Sequence, residues 1–245
     1  MNRLVKILSW DSEFFDLPIG QITSAQLDNR SIEQMLAEAH SLGLRCLYFT
    51  ADPNDRITVK LAEQHHFHLV DVRIVLEHPF RKRPAPVPRY PISPQLVIGP
   101  PLDSELPHLQ DIAAQIGHTS RFHFDTNFGP DQSERLYRLW IANACRGFAD
   151  AVFIARWHEQ GEAVGLITCT LRHDISHIQL AGVHADHRQH GVGTGLVQAA
   201  LDWAKGQGAV VMEVVTQARN VPAQRLYQQM GFFTQSMSLY YHKWL

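Results

Sequence analysis

The chain has 245 residues, 45% of them hydrophobic and 19% charged, with a formal net charge of -2, which leaves room for one large or two small domains. That charge offers no general attraction to nucleic acid or to an anionic membrane, and no apolar run reaches the length of a membrane span or forms a signal peptide. The three cysteines (Cys46, Cys145, Cys169) are widely spaced and odd in number. They argue against a disulfide framework and suit a reducing cytosol, so a cytoplasmic protein is expected.

Taken in order, Ile7–Phe15 is an apolar stretch ending in the aromatic-rich turn Trp10-Asp11-Ser12-Glu13-Phe14-Phe15. Ile19–Ala25 alternates as a strand does. Ser31 and Gln34 have capping-box spacing, and Ile32, Met35, Leu36 and Ala39 recur at helical spacing up to Gly43. Leu44–Thr50 reads as a buried strand, Arg56–Gln64 as a helix and Phe67–Glu77 as a further strand. Eight of the 13 prolines then fall between Pro79 and Pro101, with Arg81-Lys82-Arg83 at the head of that stretch. Such density favours stiff, extended backbone without ladder donors. The expected division is therefore a first domain over 1–78, a linker over 79–94 and a second domain over 95–245.

Within the second domain, Gln95–Gly99 reads as a strand, and Asp103 or Ser104 can cap a helix ending near Gly117. A loop over His118–Pro130 carries Arg121-Phe122-His123-Phe124-Asp125, and Asp131–Arg146 is amphipathic. Ala151–Trp157 and Ala163–Leu171 form a hairpin around Glu159-Gln160-Gly161, and a turn at Asp174–Ser176 leads into a strand over His177–Val183. There follow the turn Arg188-Gln189-His190-Gly191-Val192-Gly193-Thr194-Gly195, a helix over Gly193–Gln207, a strand over Ala209–Gln217 and a last helix and strand. The glycines let the backbone turn tightly and present bare N–H groups at a helix start, where the dipole favours an anion; pyrophosphate fits best. A ligand-free glycine turn is the bland alternative. A dinucleotide-binding unit is weaker, because the third glycine comes one position early and Glu213 lies inside its strand.

After the turn come Asn220, then Leu226-Tyr227, then Gly231-Phe232. Together with Arg188, Gly191 and Gly193 this order resembles the acetyl-CoA-dependent N-acetyltransferases of the GNAT superfamily. The resemblance implies an α+β fold with a mixed αβ sheet. The GNAT fold would lie in the second domain, with a smaller, degenerate GNAT-like αβ domain in front. That front domain carries a faint echo of the C-terminal end, with Asn54, Leu61 and Phe67 in a strand–helix–strand frame like Asn220, Leu226 and Phe232. The first copy has one extra residue, Ala62 at the tyrosine position and His66 at the glycine. Chance similarity is the alternative, and no coenzyme is expected there.

The resemblance also assigns roles. Backbone around Leu180, Ala181, Gly182 and Val183 would bind pantetheine. Arg188, Gln189, His190, Gly191, Val192, Gly193 and Thr194 would bind pyrophosphate, so Gly191→Asp is expected to place a charge there. Tyr227 would protonate the coenzyme thiolate, with a packed surface tyrosine as its plain alternative. Asn220 would bind pantetheine or a water, or else simply cap a helix. The base stays open between His177, Gln179, Glu213 and water. Ser120-Arg121-Phe122, the Tyr137-x-x-Trp140-Ile141-x-Asn143-Ala144-x-Arg146-Gly147 run, Thr216-Gln217-x-x-Asn220 and the opening Leu8–Phe15 look like the TDP-fucosamine acetyltransferases of enterobacterial common antigen synthesis. That likeness implies a nucleotide-linked amino sugar as acceptor, with Arg121, Phe122 and Phe124 touching it. The Phe122–Asp125 loop departs from the family pattern, so the sugar can differ. No metal is expected, because His65, His66 and His68, and His184, His187 and His190, lack acidic or thiol partners at ligand spacing. A homodimer is left open. The alternatives are another amine acceptor, or a module that binds acetyl-CoA without catalysis.

Overall fold

The computed structural model describes residues 3–80, 91–158 and 161–245. The basic run Arg81–Arg83, three of the linker prolines and the hairpin tip Glu159-Gln160 lie outside them. The described residues fall into two units. The first comprises Met1–Arg73 with Met237–Leu245, and the second Ile74–Ser236. The expected division at 78 and 95 treats each domain as a continuous segment. By contacts the first unit is discontinuous and the second continuous, because the last strand completes the first unit.

In the first unit the order is β1 (Val5–Ile7), α1 (Ser9–Phe15), β2 (Ile19–Ile22), α2 (Asn29–Ser41), β3 (Cys46–Ala51), α3 (Arg56–Gln64) and the start of β4 (His68–Pro79). β2 runs parallel to β3. The other neighbour of β3 is β10 (Phe233–Trp244), which pairs with it antiparallel from Leu239↔Ala51 to Trp244↔Cys46. Two expectations change here. The Trp10 stretch is helical, with Trp10 and Phe14 stacked at 5.3 Å between ring centroids. α2 starts earlier than Ser31, because Asp28 accepts from the Arg30 and Ser31 amides while Ser31 Oγ accepts from the Asp28 amide. A carboxylate is a strong cap, and it adds a turn that the apolar pattern alone does not mark.

In the second unit come the end of β4, β5 (Leu96–Gly99), α4 (Leu106–Gly117), α5 (Arg121–Phe124), α6 (Gln132–Asn143), β6 (Ala151–Trp157), β7 (Ala163–Arg172), β8 (Ile175–Val183), α7 (Val192–Gly206), β9 (Val211–Gln217), α8 (Val221–Gln229) and the start of β10. Strands β5 to β8 pair antiparallel in sequence, and β9 is parallel to β8. The apolar stripe of α7 (Val192, Leu196, Val197, Ala200, Leu201, Ala204) packs with Ile167, Cys169, Ile178, Met212 and Val214 from the strands. A mixed sheet with helices on it is the expected α+β class. The loop before α6 is more ordered than expected. Ser120 caps α5, Asp125 caps a 3-10 turn over Thr126–Phe128, and Phe122 meets Phe128 edge-on at 5.3 Å.

The echo between the two units becomes sharper in three dimensions. Asp55, not Asn54, caps α3, just as Asn220 caps α8. With Asp55 set on Asn220, the spacings to Leu61 and Leu226, Ala62 and Tyr227, and Phe67 and Phe232 become equal, and the extra residue disappears. Both helices also stop in the same way. His66 and Gly231 adopt φ of 57 and 88. The Phe67 amide donates to Ala62 O at 2.9 Å, and the Phe232 amide to Tyr227 O at 3.0 Å. A shared left-handed stop needs glycine in one copy and is met by a strained histidine in the other.

Candidate active site

The turn between β8 and α7 contains two residues with left-handed backbone. Gln189 and Gly191 have φ of 64 and 79, and left-handed backbone costs a non-glycine residue about 1 kcal/mol or more. The Gly191 carbonyl accepts the first helical bond, from the Gly195 amide at 2.9 Å. Among the described residues, none of the amides from Gln189 to Thr194 finds an acceptor. The buried side chains of Val192 and Thr194 anchor the helix start beneath them. Six successive amides without an acceptor among the described residues stand at the N-terminus of a 15-residue helix, an arrangement whose dipole and donors suit an anion. Arg188 folds back, its Nε donating to Val183 O at 3.1 Å.

The three glycines serve different ends. A Cβ on Gly191 would stand 2.3 Å from Pro91 O, on Gly193 3.0 Å from Leu226 Cδ2, and on Gly195 2.8 Å from Leu96 Cδ2. Gly193 thus lets α8 approach the turn, and Gly195 lets α7 lie against β5. The side-chain direction of Gly191 meets Pro91, so Gly191→Asp would strain a left-handed residue against the chain itself. It does not isolate ligand binding as the sequence suggests.

Strands β8 and β9 part beside this turn. Their parallel pairs run from Ile175↔Val211 to Ile178↔Val214 and stop, although β8 continues to Val183 and β9 to Gln217. The cause is visible on the other side of β8. There Thr168 pairs with Leu180 and Cys169 with Ile178, so Gln179 is an extra residue, a β-bulge. A bulge bends its strand and ends regular pairing. Leu180, Ala181, Gly182 and Val183 therefore line one side of a wedge, and Val215 to Gln217 line the other.

Tyr227 lies on α8. It is 5% exposed and shares a buried cluster with Ile178 and Val214, the last pair before β8 and β9 part, and with Cys169 on β7. Its ring lies 5.5 Å from that of Phe232, and its hydroxyl has no hydrogen bond to a described residue. Burial, and then the neighbouring Cys169, raise its pKa; burial pushes the Cys169 thiol up to about 12. Both groups hold their protons through the neutral range. Asn220 serves as the N-cap of α8, its Oδ1 3.3 Å from the Ala223 amide.

On the sheet face away from α7, His177 Nδ1 lies 3.5 Å from Glu213 Oε2. Gln179 Nε2 donates to Thr170 Oγ1 at 3.1 Å. α4 covers the end of β8 so closely that a Cβ on Gly182 would stand 2.5 Å from Ile116 Cδ1. The next loop reaches the end of β9, with Thr119 Oγ1 donating to Gln217 Oε1 at 3.4 Å. Of the expected acceptor contacts, Phe122 is buried inside this loop, whereas Phe124 is 59% exposed. The Arg121 guanidinium lies 4.6 Å from the Phe122 ring centre. The structure adds Arg219, stacked at 3.9 Å on Phe124, which no local motif marked. Of the histidines, His187 Nδ1 accepts from Trp157 Nε1 at 3.0 Å. Among the described residues, no three His, Cys, Asp or Glu side chains gather as metal ligands would, and no helix is long and apolar enough to cross a membrane.

Comparison with known proteins bears on the family and the fold. Residues 118–232 match the acetyltransferase (GNAT) family. The chain is 30% identical over 141 residues to a dTDP-fucosamine acetyltransferase of Escherichia coli O6:H1, covering 58% of this chain and 60% of that protein. It is 25% identical over 151 residues to the spore coat polysaccharide biosynthesis protein SpsD of Bacillus subtilis, covering 62% and 52%. The chain thus spans little more than half the length of these relatives. Among solved structures it resembles a GCN5-related N-acetyltransferase from Sphaerobacter thermophilus, with a TM-score of 0.64 at 16% identity over 98% of this chain and 76% of that one. It also resembles a tandem GNAT protein from the clavulanic acid biosynthesis pathway, with a TM-score of 0.59 at 13% identity over 93% and 75%. At these identities the two structures speak for the fold alone.

Proposed function

We propose that the protein, whose residues 118–232 match the acetyltransferase (GNAT) family, is an enzyme that transfers the acetyl group of acetyl-CoA to the amine of a nucleotide-linked amino sugar. The likeness to a dTDP-fucosamine acetyltransferase supports a dTDP-linked 4-amino-4,6-dideoxyhexose as the acceptor. The observation that carries this reading is the parting of β8 and β9 after Ile178 and Val214. It opens a slot for the pantetheine arm between two strand edges. At one end lie the open amides of Gln189 to Thr194, and at the apex lies Tyr227. The backbone of Leu180 to Val183 offers the pantetheine amides their partners and polarises the acetyl carbonyl.

In the reaction the acceptor nitrogen forms a bond to the acetyl carbon while the carbon–sulfur bond breaks. The amine gives up one proton and the departing sulfur takes one, so the exchange balances as amide plus thiol. Tyr227 supplies the proton to sulfur as the phenol, and Asn220 holds the helix that carries it. Holding both reactants in line in one slot removes much of the entropic barrier. The amine's proton leaves through His177, whose Nδ1 faces Glu213, or through water. A coenzyme A-release assay over a panel of nucleotide-linked amino sugars tests the whole reading. Turnover of small amines or peptides in preference to every nucleotide sugar would replace the acceptor. Acetyl-CoA binding with no turnover would leave a binding module.

Two results bear on the parts. Acetyl-CoA at a hundredfold excess over its Kd should raise Tm by about 5–10 °C, whereas acetylpantetheine, which lacks the pyrophosphate, should leave Tm nearly unchanged. Equal shifts from both compounds would remove the pyrophosphate from the Gln189–Thr194 turn. If His177 is the base, His177→Gln should lower kcat/KM by about 10²-fold and abolish the acid limb of its pH profile. An unaltered profile would leave the proton to water.

A further inference from the structure

Val215 is the first residue of β9 beyond its last pair with β8. Burial alternates along this strand, with Met212, Val214 and Thr216 buried toward one face and Val211, Glu213, Val215 and Gln217 on the other. On that second face the apolar Val215 is 41% exposed, while the polar Glu213 and Gln217 on either side of it are half-buried. This reverses the usual order, in which valine is the side chain withdrawn from water.

The bulge in β8 accounts for the exposure. Continued regularly, the register that joins Ile178 to Val214 would set Gln179 beside Val215. Gln179 is instead the extra residue, and its Nε2 donates to Thr170 Oγ1 on β7, across β8 from β9. Val215 is therefore left at the mouth of the wedge with no pairing residue on β8.

Its polar neighbours on the same face are engaged with other side chains. Two positions back, Glu213 Oε2 lies 3.5 Å from His177 Nδ1, and two positions on, Gln217 Oε1 accepts from Thr119 Oγ1 at 3.4 Å. Residues two apart on a strand stand about 7 Å from each other. One isopropyl group thus lies between two polar pairs, within the span of a single hexose and its substituents. A ligand suited to that row carries polar groups at its edges and one small apolar group between them. A 6-deoxyhexose is built in this way, since its C5 bears a methyl where an ordinary hexose has a hydroxymethyl.

We propose that Val215 determines acceptor specificity by receiving the methyl group of a 6-deoxy sugar, so selecting it over the 6-hydroxy sugar. This rests on the acetyltransferase reading above and names the side chain that reads one position of its acceptor. The pantetheine arm also carries methyl groups, so the same contact has two sources. The acceptor is the one assigned, because Val215 lies on the face of His177 and Glu213, opposite the buried face that clusters with Tyr227.

The test uses Val215→Thr and Val215→Ala in the full chain, with a dTDP-linked 4-amino-4,6-dideoxyhexose and its 6-hydroxy counterpart as acceptors. Threonine keeps the branched shape and the strand preference and exchanges one methyl for a hydroxyl. Wild type should favour the deoxy sugar in kcat/KM by about 10–100-fold, the usual reach of one small group. Val215→Thr should cut that ratio about 10-fold, and Val215→Ala should lower kcat/KM for the deoxy sugar by about the same factor. Titration of the two sugars onto protein saturated with coenzyme A should show the same change in ratio, without reference to turnover. KM for acetyl-CoA and Tm should stay at their wild-type values, as for other exposed positions. A wild type indifferent to the two sugars, or a ratio unmoved by Val215→Thr, would overturn the assignment and leave the enzyme reading intact. A rise in KM for acetyl-CoA, equal with either sugar, would overturn it by giving Val215 to the pantetheine arm. An equal loss with both sugars and a lower Tm would overturn it by making the residue structural. No turnover and no binding of any nucleotide-linked sugar by the wild type would overturn the acceptor reading and this inference together.

Discussion

Tyr227→Phe should lower kcat by about 10²–10⁴-fold while acetyl-CoA affinity barely changes. The ring sits in a packed cluster with Cys169, Ile178 and Val214, and phenylalanine fills the same space. What is lost is one hydroxyl that has no hydrogen bond to a described residue. A structural tyrosine would show the reverse pattern, with stability affected and turnover kept. Single-turnover kinetics under acetyl-CoA saturation, where chemistry limits the rate, decide between them; near wild-type kcat would remove Tyr227 as the acid. The pH dependence of stability gives a control. Burial raises the Tyr227 pKa above its ordinary 10.0. The contribution of the neutral phenol is therefore complete below about pH 10 and is lost as pH rises toward the folded value. Tyr227→Phe should lack that alkaline loss.

Glu105→Ala should produce the largest fall in stability, about 3–5 kcal/mol, seen as a drop in Tm of roughly 6–20 °C. Arg156 is 5% exposed, and its Nε and Nη2 donate to the two Glu105 oxygens at 2.6 Å each, with Nη2 also 2.9 Å from Pro100 O. Removing the carboxylate strands a buried guanidinium, which costs far more than the pair is worth. The pair ties β6 to the start of α4, the helix that covers the end of β8. A fall in kcat/KM should therefore accompany the fall in Tm. Burial alone would raise the Glu105 carboxyl, but the hydrogen bonds from Arg156 and from the Leu102 amide outweigh it and lower its pKa. Its stabilising contribution is thus full above the ordinary carboxylate range and fades as pH falls through the folded value. Wild-type Tm should decline in that acidic window, and Glu105→Ala should decline less. A Tm within 2 °C of wild type, about 0.5–1 kcal/mol for a chain of this size, would show that the buried pair is not a fixed feature of the fold.

Much of the second unit is legible in the sequence because its signals are local. Apolar spacing in Leu196, Val197, Ala200 and Leu201 marks α7 within one residue at each end, since a helix pairs only with itself over four positions. The Asn220, Leu226-Tyr227 and Gly231-Phe232 series marks α8 and its stop, because a cap and a left-handed residue act on their immediate neighbours. The open turn is legible for the same reason. Local signals misplaced edges, as where Asp28 rather than Ser31 opened α2, and missed the short helices α1 and α5.

What the tertiary structure alone decided is everything set by pairing between distant residues. The wedge ends at Ile178 and Val214 because Gln179 bulges against Thr168 and Cys169, and no feature of Gln179 itself announces a bulge. Gly191 faces Pro91, a residue a hundred positions away in sequence, so its side-chain direction could not be read from the turn. Arg219 looked like an ordinary loop cation until Phe124 came beneath it, and Phe122 and Phe124 looked equivalent until one turned inward. The sequence by itself determined most elements, the glycine turn with its open amides and the place of the tyrosine. The register between strands, and with it the slot between the turn and Tyr227, was fixed by non-local hydrogen bonding and packing that leave no periodic trace.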